Sequence, residues 1–169
     1  LQMRKILMNP EMYNYGQLRK WMNGTIDKAK GVVDEKYIAP VVRGLEKLDE
    51  IIEMMKGQLG GGKILALVLN ATPFQQAMFP LVMAWLHLWS LTITTPKAKE
   101  LLGDAKGEER QKKIAEDAEA AYYSGRMLSL QFYIGAEFPK FFGRVECIMN
   151  NEGAALKVDS ANFTGAPLE

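Results

Sequence analysis

The chain has 169 residues, of which 48% are hydrophobic and 24% are charged. This composition is typical of a folded globular protein, and the length suits one domain with a real core rather than two. There are 21 basic and 20 acidic residues, which gives a formal net charge of +1, and the two signs are interleaved. That balance excludes the strong positive field of a typical nucleic-acid-binding protein, so no nucleic-acid partner is predicted.

The N-terminal residues and the single cysteine bear on the cellular compartment. LQMRKILMNP lacks the apolar stretch and small-residue cleavage site of a secretory signal, so a cytoplasmic location is expected. Cys147 has no second cysteine to pair with, which excludes an internal disulfide and a cysteine-based zinc site. Its amphipathic surroundings, RVECIMN, predict a buried structural thiol.

Apolar residues recur at helical spacing along most of the chain, and no alternating pattern persists long enough to indicate a strand. We therefore predict an all-α protein, an antiparallel bundle of about four long helices within residues 1–150. Residues 151–169 show weak periodicity and are predicted to form an extended, mobile tail. The predicted helices are 15–34, 38–59, 64–95 and 108–149.

The second helix has the most regular pattern, with apolar residues three and four positions apart that indicate a seam facing other helices. Pro40 lies near its start, where a helix tolerates proline best. Gly60, Gly61 and Gly62 then interrupt the pattern and predict a hinge. The predicted seam is Ile38, Val41, Leu45, Leu48, Ile52 and Met55.

In the last helix the predicted seam contains small residues, which would let a neighbouring helix approach closely. A charged, glycine-containing linker at about 97–107 precedes this helix, and Pro139 should kink it or end its first half. The predicted seam is Ile114, Ala118, Ala121, Gly125, Leu128, Phe132, Gly135, Pro139, Phe142, Val145 and Met149.

No charged residue occurs from Ile64 to Pro96, which raises the possibilities of a membrane span, a cofactor pocket or a buried helix. A membrane helix needs about 20 predominantly apolar residues, and this segment reaches that length only by including several polar residues and prolines. We therefore predict a bundle helix that is apolar on all sides, and no membrane span. Three partner helices cannot cover such a helix fully, so we expect an interface at Met83, Trp85, Leu88 and Trp89.

Helical bundles often hold metals, and the histidine content tests that possibility. A di-iron site needs Glu-x-x-His motifs, but the only histidine is His87 and Ala84 stands three residues before it. Covalent haem attachment needs Cys-x-x-Cys-His, which is absent. A core role for His87 is favoured over a lone haem ligand. No metal-binding residue is predicted.

Two other patterns resemble functional sites only in part. Gly57, Gly62 and Lys63 match a phosphate-binding loop, but Ile64 stands where a magnesium-binding Ser or Thr is required and the preceding segment is helical. Glu116, Asp117 and Glu119 are predicted on an outer helix face as solubilising charges. With one histidine in an apolar helix, we predict no catalytic or cofactor-binding residue.

Several stretches, in this order, resemble the C-terminal helical extension of bacterial FAD-dependent acyl-CoA dehydrogenases. The Asn70–Phe74 run, Asn-Ala-Thr-Pro-Phe, leads into an apolar helix as it does in that family. The similarity covers nearly the whole chain. The matching stretches are LQMRKILMN, LNATPFQQAMFPLVMAWLHLW, AAYYSGRMLSLQFYIGAEFP and AALKVDSANF.

The resemblance implies a parent enzyme that oxidises acyl-CoA to 2-enoyl-CoA, using FAD as hydride acceptor and a glutamate as base. That glutamate lies upstream of the segment matched by LQMRKILMN, so no catalytic residue is carried over to this chain. The implied role is structural: packing on the catalytic body, stabilising an oligomer, or restricting access to the active site. The implied partners are the catalytic body and a second subunit.

Two other readings remain open. A free-standing helical interaction protein could dimerise through the helix that carries Trp85 and Trp89. The absence of methionine at position 1 suits a fragment of a longer protein, although Met3 could also be a start. A single-span membrane protein would aggregate without detergent.

Overall fold

A computed structural model describes residues 6–7 and 13–164, and within them every regular element is a helix. This confirms the predicted all-α class. A π-helical turn spans Tyr133–Glu137, and a 3-10 turn spans Ala154–Lys157. The α-helices are α1 (Tyr13–Ala29), α2 (Glu35–Gly60), α3 (Ile64–Leu69), α4 (Ala71–Leu102), α5 (Gly107–Glu116), α6 (Ala118–Phe132), α7 (Lys140–Asn150) and α8 (Ala161–Thr164).

The long helices form an antiparallel bundle of four columns, as predicted: α1, α2, α4, and α6 followed by the π-turn and α7. Arg19 near the start of α1 forms an ion pair with Asp49 in the second half of α2, with a nitrogen–oxygen distance of 3.1 Å. Tyr133, just after α6, stacks on His87 of α4 with ring centroids 4.4 Å apart. α4 touches all the other columns and is the central helix of the bundle.

The predicted seam of α2 is confirmed, since all six of its apolar residues are buried. Pro40 lies inside α2, near its start. Helices pack closely at Gly44, where an added Cβ would lie 2.7 Å from Phe138 and 2.9 Å from Leu81. Glycine at this position lets α4 and the last column pack against the backbone of α2.

The glycine hinge lies where predicted, because α2 ends at Gly60 and Gly62 adopts a positive φ of 68°.

The apolar segment forms α3 and α4, so it is longer than the predicted helix 64–95 and has one break. Asn70 separates α3 from α4, and its side-chain amide donates to the Ala66 carbonyl at 3.2 Å. α4 then continues past Pro96 to Leu102, so most of the predicted linker is helical.

The last column differs most from its predicted form, a continuous helix over 108–149. Asp117 ends α5 and caps α6, because its carboxylate accepts from the backbone N–H groups of Glu119 and Ala120. The π-turn then widens the helix and shifts its phase. The predicted kink near Pro139 agrees with the structure, where α7 begins directly after that residue.

A different face of this column lies in the core, so much of the predicted seam is wrong. Leu128 is 56% exposed and Phe132 is 63% exposed, while Val145 is buried as predicted. Cys147 is exposed, which corrects its predicted burial: it precedes the inward-facing Ile148 and points outward. The buried residues are Ala120, Ser124, Leu130, Ile134, Phe138, Phe141, Val145 and Ile148.

Three amides join the end of the bundle where α2, α4 and α7 meet. Asn151 has a left-handed φ of 48°, and its Oδ1 accepts from Gln58 Nε2 at 2.8 Å and from Asn70 Nδ2 at 3.0 Å. Gln58 and Asn70 are each 6% exposed. Because buried amides need partners, this cluster fixes the ends of the three helices relative to one another.

The tail after Asn151 contains the 3-10 turn and α8, and its described residues lie at the surface. Leu156, Val158 and Phe163 are exposed apolar residues there. The remaining tail, 165–169, lies outside the described residues. Most of LQMRKILMN does too, although Ile6 and Leu7 are described and Ile6 is buried against the core.

Candidate interaction surface

The four predicted interface residues divide into core and surface. Leu88 is fully buried in the core, so it supports the bundle from inside and does not itself reach a partner. Trp85 packs against the core and is partly exposed, and Met83 is also partly exposed. Trp89 is 50% exposed. Among the four, Trp89 is therefore the principal candidate for a contact with another protein.

Trp89 belongs to an apolar stripe on α4, defined by Phe79, Val82, Leu86, Trp89 and Ile93. Steps of three and four residues put these side chains on one helical face, about 21 Å long at the rise of an α-helix. Phe79 is 68% exposed and Ile93 is 51% exposed, whereas Val82 and Leu86 are partly buried. The spacing is typical of a face that packs against a helix, but no helix of the described chain covers it.

The α4 stripe forms one wall of a groove whose other wall is α1. Two cavities of about 400 and 380 Å³ follow this groove, and Trp21 on α1 is 63% exposed beside the second. Lys20 and Lys28 are the only charged residues lining either cavity among the described residues. The groove therefore combines an apolar floor with positive charge at its α1 edge.

Trp85 fixes the two walls of the groove together. Its indole N–H donates to the Thr25 hydroxyl at 2.8 Å, and that hydroxyl donates to the Trp21 carbonyl at 3.2 Å. Because the indole nitrogen is satisfied inside the chain, Trp85 acts here as a structural residue. It holds the groove in shape before any partner binds.

His87 lies on the other side of α4 from the groove and faces the last column. Its Nδ1 lies 2.6 Å from the Met83 carbonyl, which it can contact only as a donor, and its ring stacks on Tyr133. Burial lowers the pKa of His87 below its ordinary value, and the nearby Arg126 lowers it further. These features favour a neutral ring that packs against Tyr133 at a partly buried position.

Another cleft, of about 710 Å³, lies between the start of α4 and the last column. Its charged groups are already engaged: Arg144 donates to Gln76 at 2.6 Å, and Lys140 pairs with Glu137 at 2.6 Å. The cleft lining includes no histidine, cysteine or serine that could serve as a nucleophile or proton carrier beside these groups. The arrangement can contribute polar contacts.

The glycine stretch and the acidic residues singled out in the sequence do not form a site together. Gly57 is in the last turn of α2, and Lys63 follows the hinge, so the glycine stretch lacks the strand that a phosphate-binding loop requires. Glu116, Asp117 and Glu119 are exposed, as predicted. Within the described ranges, no cluster of three or more histidine, cysteine, aspartate or glutamate residues is placed to hold a metal.

α4 is also the one helix of the described chain that is long and apolar enough to cross a bilayer. Length and composition alone are weak evidence, because the central helix of a bundle passes the same test. The buried face of α4 includes Phe74, Leu81, Leu88 and Leu91, and it packs against the other columns. This contact explains the apolar composition of that face without a membrane.

Sequence reasoning found Trp89 but missed the rest of the stripe and Trp21. The sequence does contain apolar residues at three- and four-residue spacing from Phe79 to Ile93, which could have revealed the stripe. However, α4 is apolar on several faces, so this spacing does not stand out. A second apolar stripe is hidden when the buried face is equally apolar. Trp21 stands beside Met22, which is fully buried, and only the structure shows which of the two faces outward.

Comparison with known proteins identifies the family. The family model described as acetyl-CoA dehydrogenase C-terminal like matches residues 18–159. No curated protein and no solved structure matches significantly. The matched region begins within α1 and runs past α7, so it includes most of the bundle and the whole α4 wall of the groove. The chain belongs to the acetyl-CoA dehydrogenase C-terminal-like family.

Proposed function

We propose that this chain is the accessory C-terminal domain of a flavin-dependent acyl-CoA dehydrogenase and that it packs on the catalytic body through the α1–α4 groove. The observation that carries the proposal is the family match over residues 18–159, together with an apolar stripe that the described residues leave uncovered. In this proposal the catalytic body binds FAD and oxidises acyl-CoA to 2-enoyl-CoA in the cytoplasm. The bundle supplies a rigid surface.

The exposure of the groove residues supports a packing role. Trp21, Phe79 and Trp89 are each at least half exposed, and they lie around one groove. Complete burial of a large apolar side chain contributes about 1.5–3 kcal/mol, so covering this group is a substantial driving force for association. Apolar groups arranged in this way are typical of protein interfaces.

The positive charge at the groove edge indicates which charge the partner segment carries. Lys20 and Lys28 have no ion-pair partner among the described residues. An amphipathic helix with acidic residues along one edge matches both the apolar floor and these two cations. We expect the catalytic body to present such a helix to the groove.

The first experiment uses the native polypeptide, captured from its source with an antibody to this domain. We expect an intact mass several-fold above 19.0 kDa and a flavin absorption band. A mass near 19.0 kDa without a chromophore would contradict the proposal and favour a free-standing interaction bundle. Such a bundle would still have the exposed apolar groove.

The second experiment tests the groove within that larger polypeptide. The double substitution Phe79→Ser and Trp89→Ser removes exposed groups only, so we expect the bundle to fold but to separate from the catalytic body. Hydrogen exchange at α1 and α4 should then rise, while Phe163→Ser, a substitution in the exposed tail, leaves it unchanged. Equal protection in both variants would mean that another face makes the contact.

A further inference from the structure

The cleft of about 710 Å³ between the start of α4 and the last column takes no part in the proposed packing role. Polar side chains from both of its walls line it, and we call it the polar cleft. They include Thr72, Gln76, Tyr133, Glu137, Lys140 and Arg144. A cleft of this size with a few polar groups suits a small organic molecule.

The π-turn forms part of the cleft wall that faces α4. Tyr133 and Glu137 are the first and last residues of this turn, and both line the cleft. Lys140 and Arg144 lie one helical turn apart on α7, and they line it as well. Single π-turns in α-helices are frequently found at functional sites. This wall therefore presents two cations and one carboxylate to α4.

The two cations differ in how their charge is balanced. Lys140 pairs with Glu137 at 2.6 Å, but the two side chains are 70% and 44% exposed, so the pair is weak. Arg144 donates from Nη1 to Gln76 Oε1 at 2.6 Å, and it forms no ion pair within the described residues. Because an amide is neutral, the positive charge of Arg144 remains without a counter-charge.

The bond between Arg144 and Gln76 also determines which donors remain for a ligand. Since Oε1 of Gln76 accepts this bond, Nε2 is the end of the amide that is left to donate. The Nε and Nη2 edge of Arg144 has no partner among the described residues, and such an edge binds a carboxylate or phosphate through two parallel bonds. Thr72 lies in the first turn of α4, whose positive helix end has no side-chain cap. All of these groups favour an anion.

We propose that the polar cleft binds a small organic anion, a carboxylate or phosphate monoester attached to an apolar group. The anionic group would pair with the open edge of Arg144. The apolar group would pack on the aromatic part of the lining, which includes the buried Phe141 and the exposed Phe79. The proposal goes beyond the proposed function, because Arg144 and Gln76 line neither cavity of the groove.

The test is an NMR titration of the 169-residue chain, whose core is built from its own helices. The probes are benzoate, phenyl phosphate and the uncharged benzyl alcohol. We expect saturable shifts of the Gln76 amide and Arg144 Nε–H signals with the anions, and the tighter of the two identifies the anionic group. Benzyl alcohol should give no such shifts. Equal binding of benzyl alcohol, or no saturable shift with either anion, would overturn the proposal.

Substitutions of exposed residues test the role of Arg144 without disturbing the core. Arg144→Gln should weaken binding of the tighter anion by about tenfold or more, because a charge-assisted hydrogen bond is lost. Arg126→Gln is the matched control: it removes the same charge from an exposed position that does not line the cleft, and it should leave the affinity unchanged. Equal weakening in the two variants would mean attraction to net charge only and would overturn the proposal.

Gln76→Glu provides an independent check, since it replaces the neutral partner of Arg144 by a carboxylate of nearly the same shape. The new ion pair should abolish anion binding while the chain stays folded. Unchanged affinity in Gln76→Glu would contradict the proposed site. Trp89→Ser, in the groove, should bind the anion normally, which separates this inference from the proposed function.

Discussion

The indole N–H of Trp85 donates to the Thr25 hydroxyl at 2.8 Å, joining the central helix α4 to α1 across the floor of the groove. Trp89, one turn further along α4, makes no such bond within the described residues and is half exposed. Two tryptophans four residues apart in sequence therefore have different roles. One shapes the groove, and the other remains available at its surface.

This difference predicts opposite effects on stability. Trp85→Phe with Thr25→Val should show a coupling free energy of about 1 kcal/mol in a double-mutant cycle, because a partly buried hydrogen bond is lost. Trp89→Ser should change the free energy of unfolding by only about 0.5 kcal/mol or less. Urea denaturation of the four variants measures both values. A larger loss for Trp89→Ser than for Trp85→Phe would contradict the assignment.

Gly44 gives a second prediction, since the packing of Phe138 and Leu81 against α2 depends on its missing side chain. Gly44→Ala should lower the free energy of unfolding by about 1–3 kcal/mol, because the new Cβ would overlap Phe138 and Leu81. Gly143→Ala, where the Cβ meets nothing, should instead stabilise the chain by about 0.5–1 kcal/mol. Thermal unfolding compares the two.

A rescue experiment sharpens the Gly44 prediction. Phe138→Leu removes the ring atoms nearest to the added Cβ, so it should be less damaging in the Gly44→Ala background than in the unchanged chain. Additive losses in the double variant would show that the two sites do not share the strain.

The pKa of His87 predicts how stability depends on pH. Burial and Arg126 lower this pKa below its ordinary value of 6.5, so the folded chain favours the neutral ring. The resulting stability is present above pH 6.5 and is lost as the pH falls through the lowered pKa. His87→Phe keeps an aromatic ring against Tyr133 without a titrating group.

Urea unfolding at several pH values between about 7.5 and about 5 checks this contribution, since His87 binds a proton more readily in the unfolded chain. The unchanged chain should lose more stability than His87→Phe over that interval. Identical slopes for the two proteins would show that His87 does not contribute, whatever their absolute stabilities.

Two substitutions at Asn151 separate the contribution of its side-chain hydrogen bonds from that of its left-handed backbone conformation. Asn151→Gly keeps the left-handed conformation easily accessible but removes the bonds to Gln58 and Asn70, so we expect a loss of about 1–3 kcal/mol. Asn151→Ala should cost about 1 kcal/mol more, because alanine is strained at a positive φ. Equal stability of the two variants would exclude that strain, and no loss in either would exclude a role for the amide cluster.

The sequence by itself determined the helical class, the antiparallel bundle, the α2 seam and the glycine hinge. Each depends on local spacing or on the properties of one residue type. The seam from Ile38 to Met55 repeats without interruption, so its phase could be read directly. Gly62 marks its turn because few other residues adopt a positive φ without strain.

Only the tertiary structure decided which faces are buried. In α6, the face that includes Ala120, Ser124 and Leu130 is the buried one, so Leu128 and Phe132 remain outside although their spacing resembles that of a core seam. In α4, apolar residues occur on opposite faces, and burial distinguishes Leu88 from its neighbour Trp89. Periodicity shows that an apolar face needs a partner, whereas packing decides whether that partner belongs to the same chain.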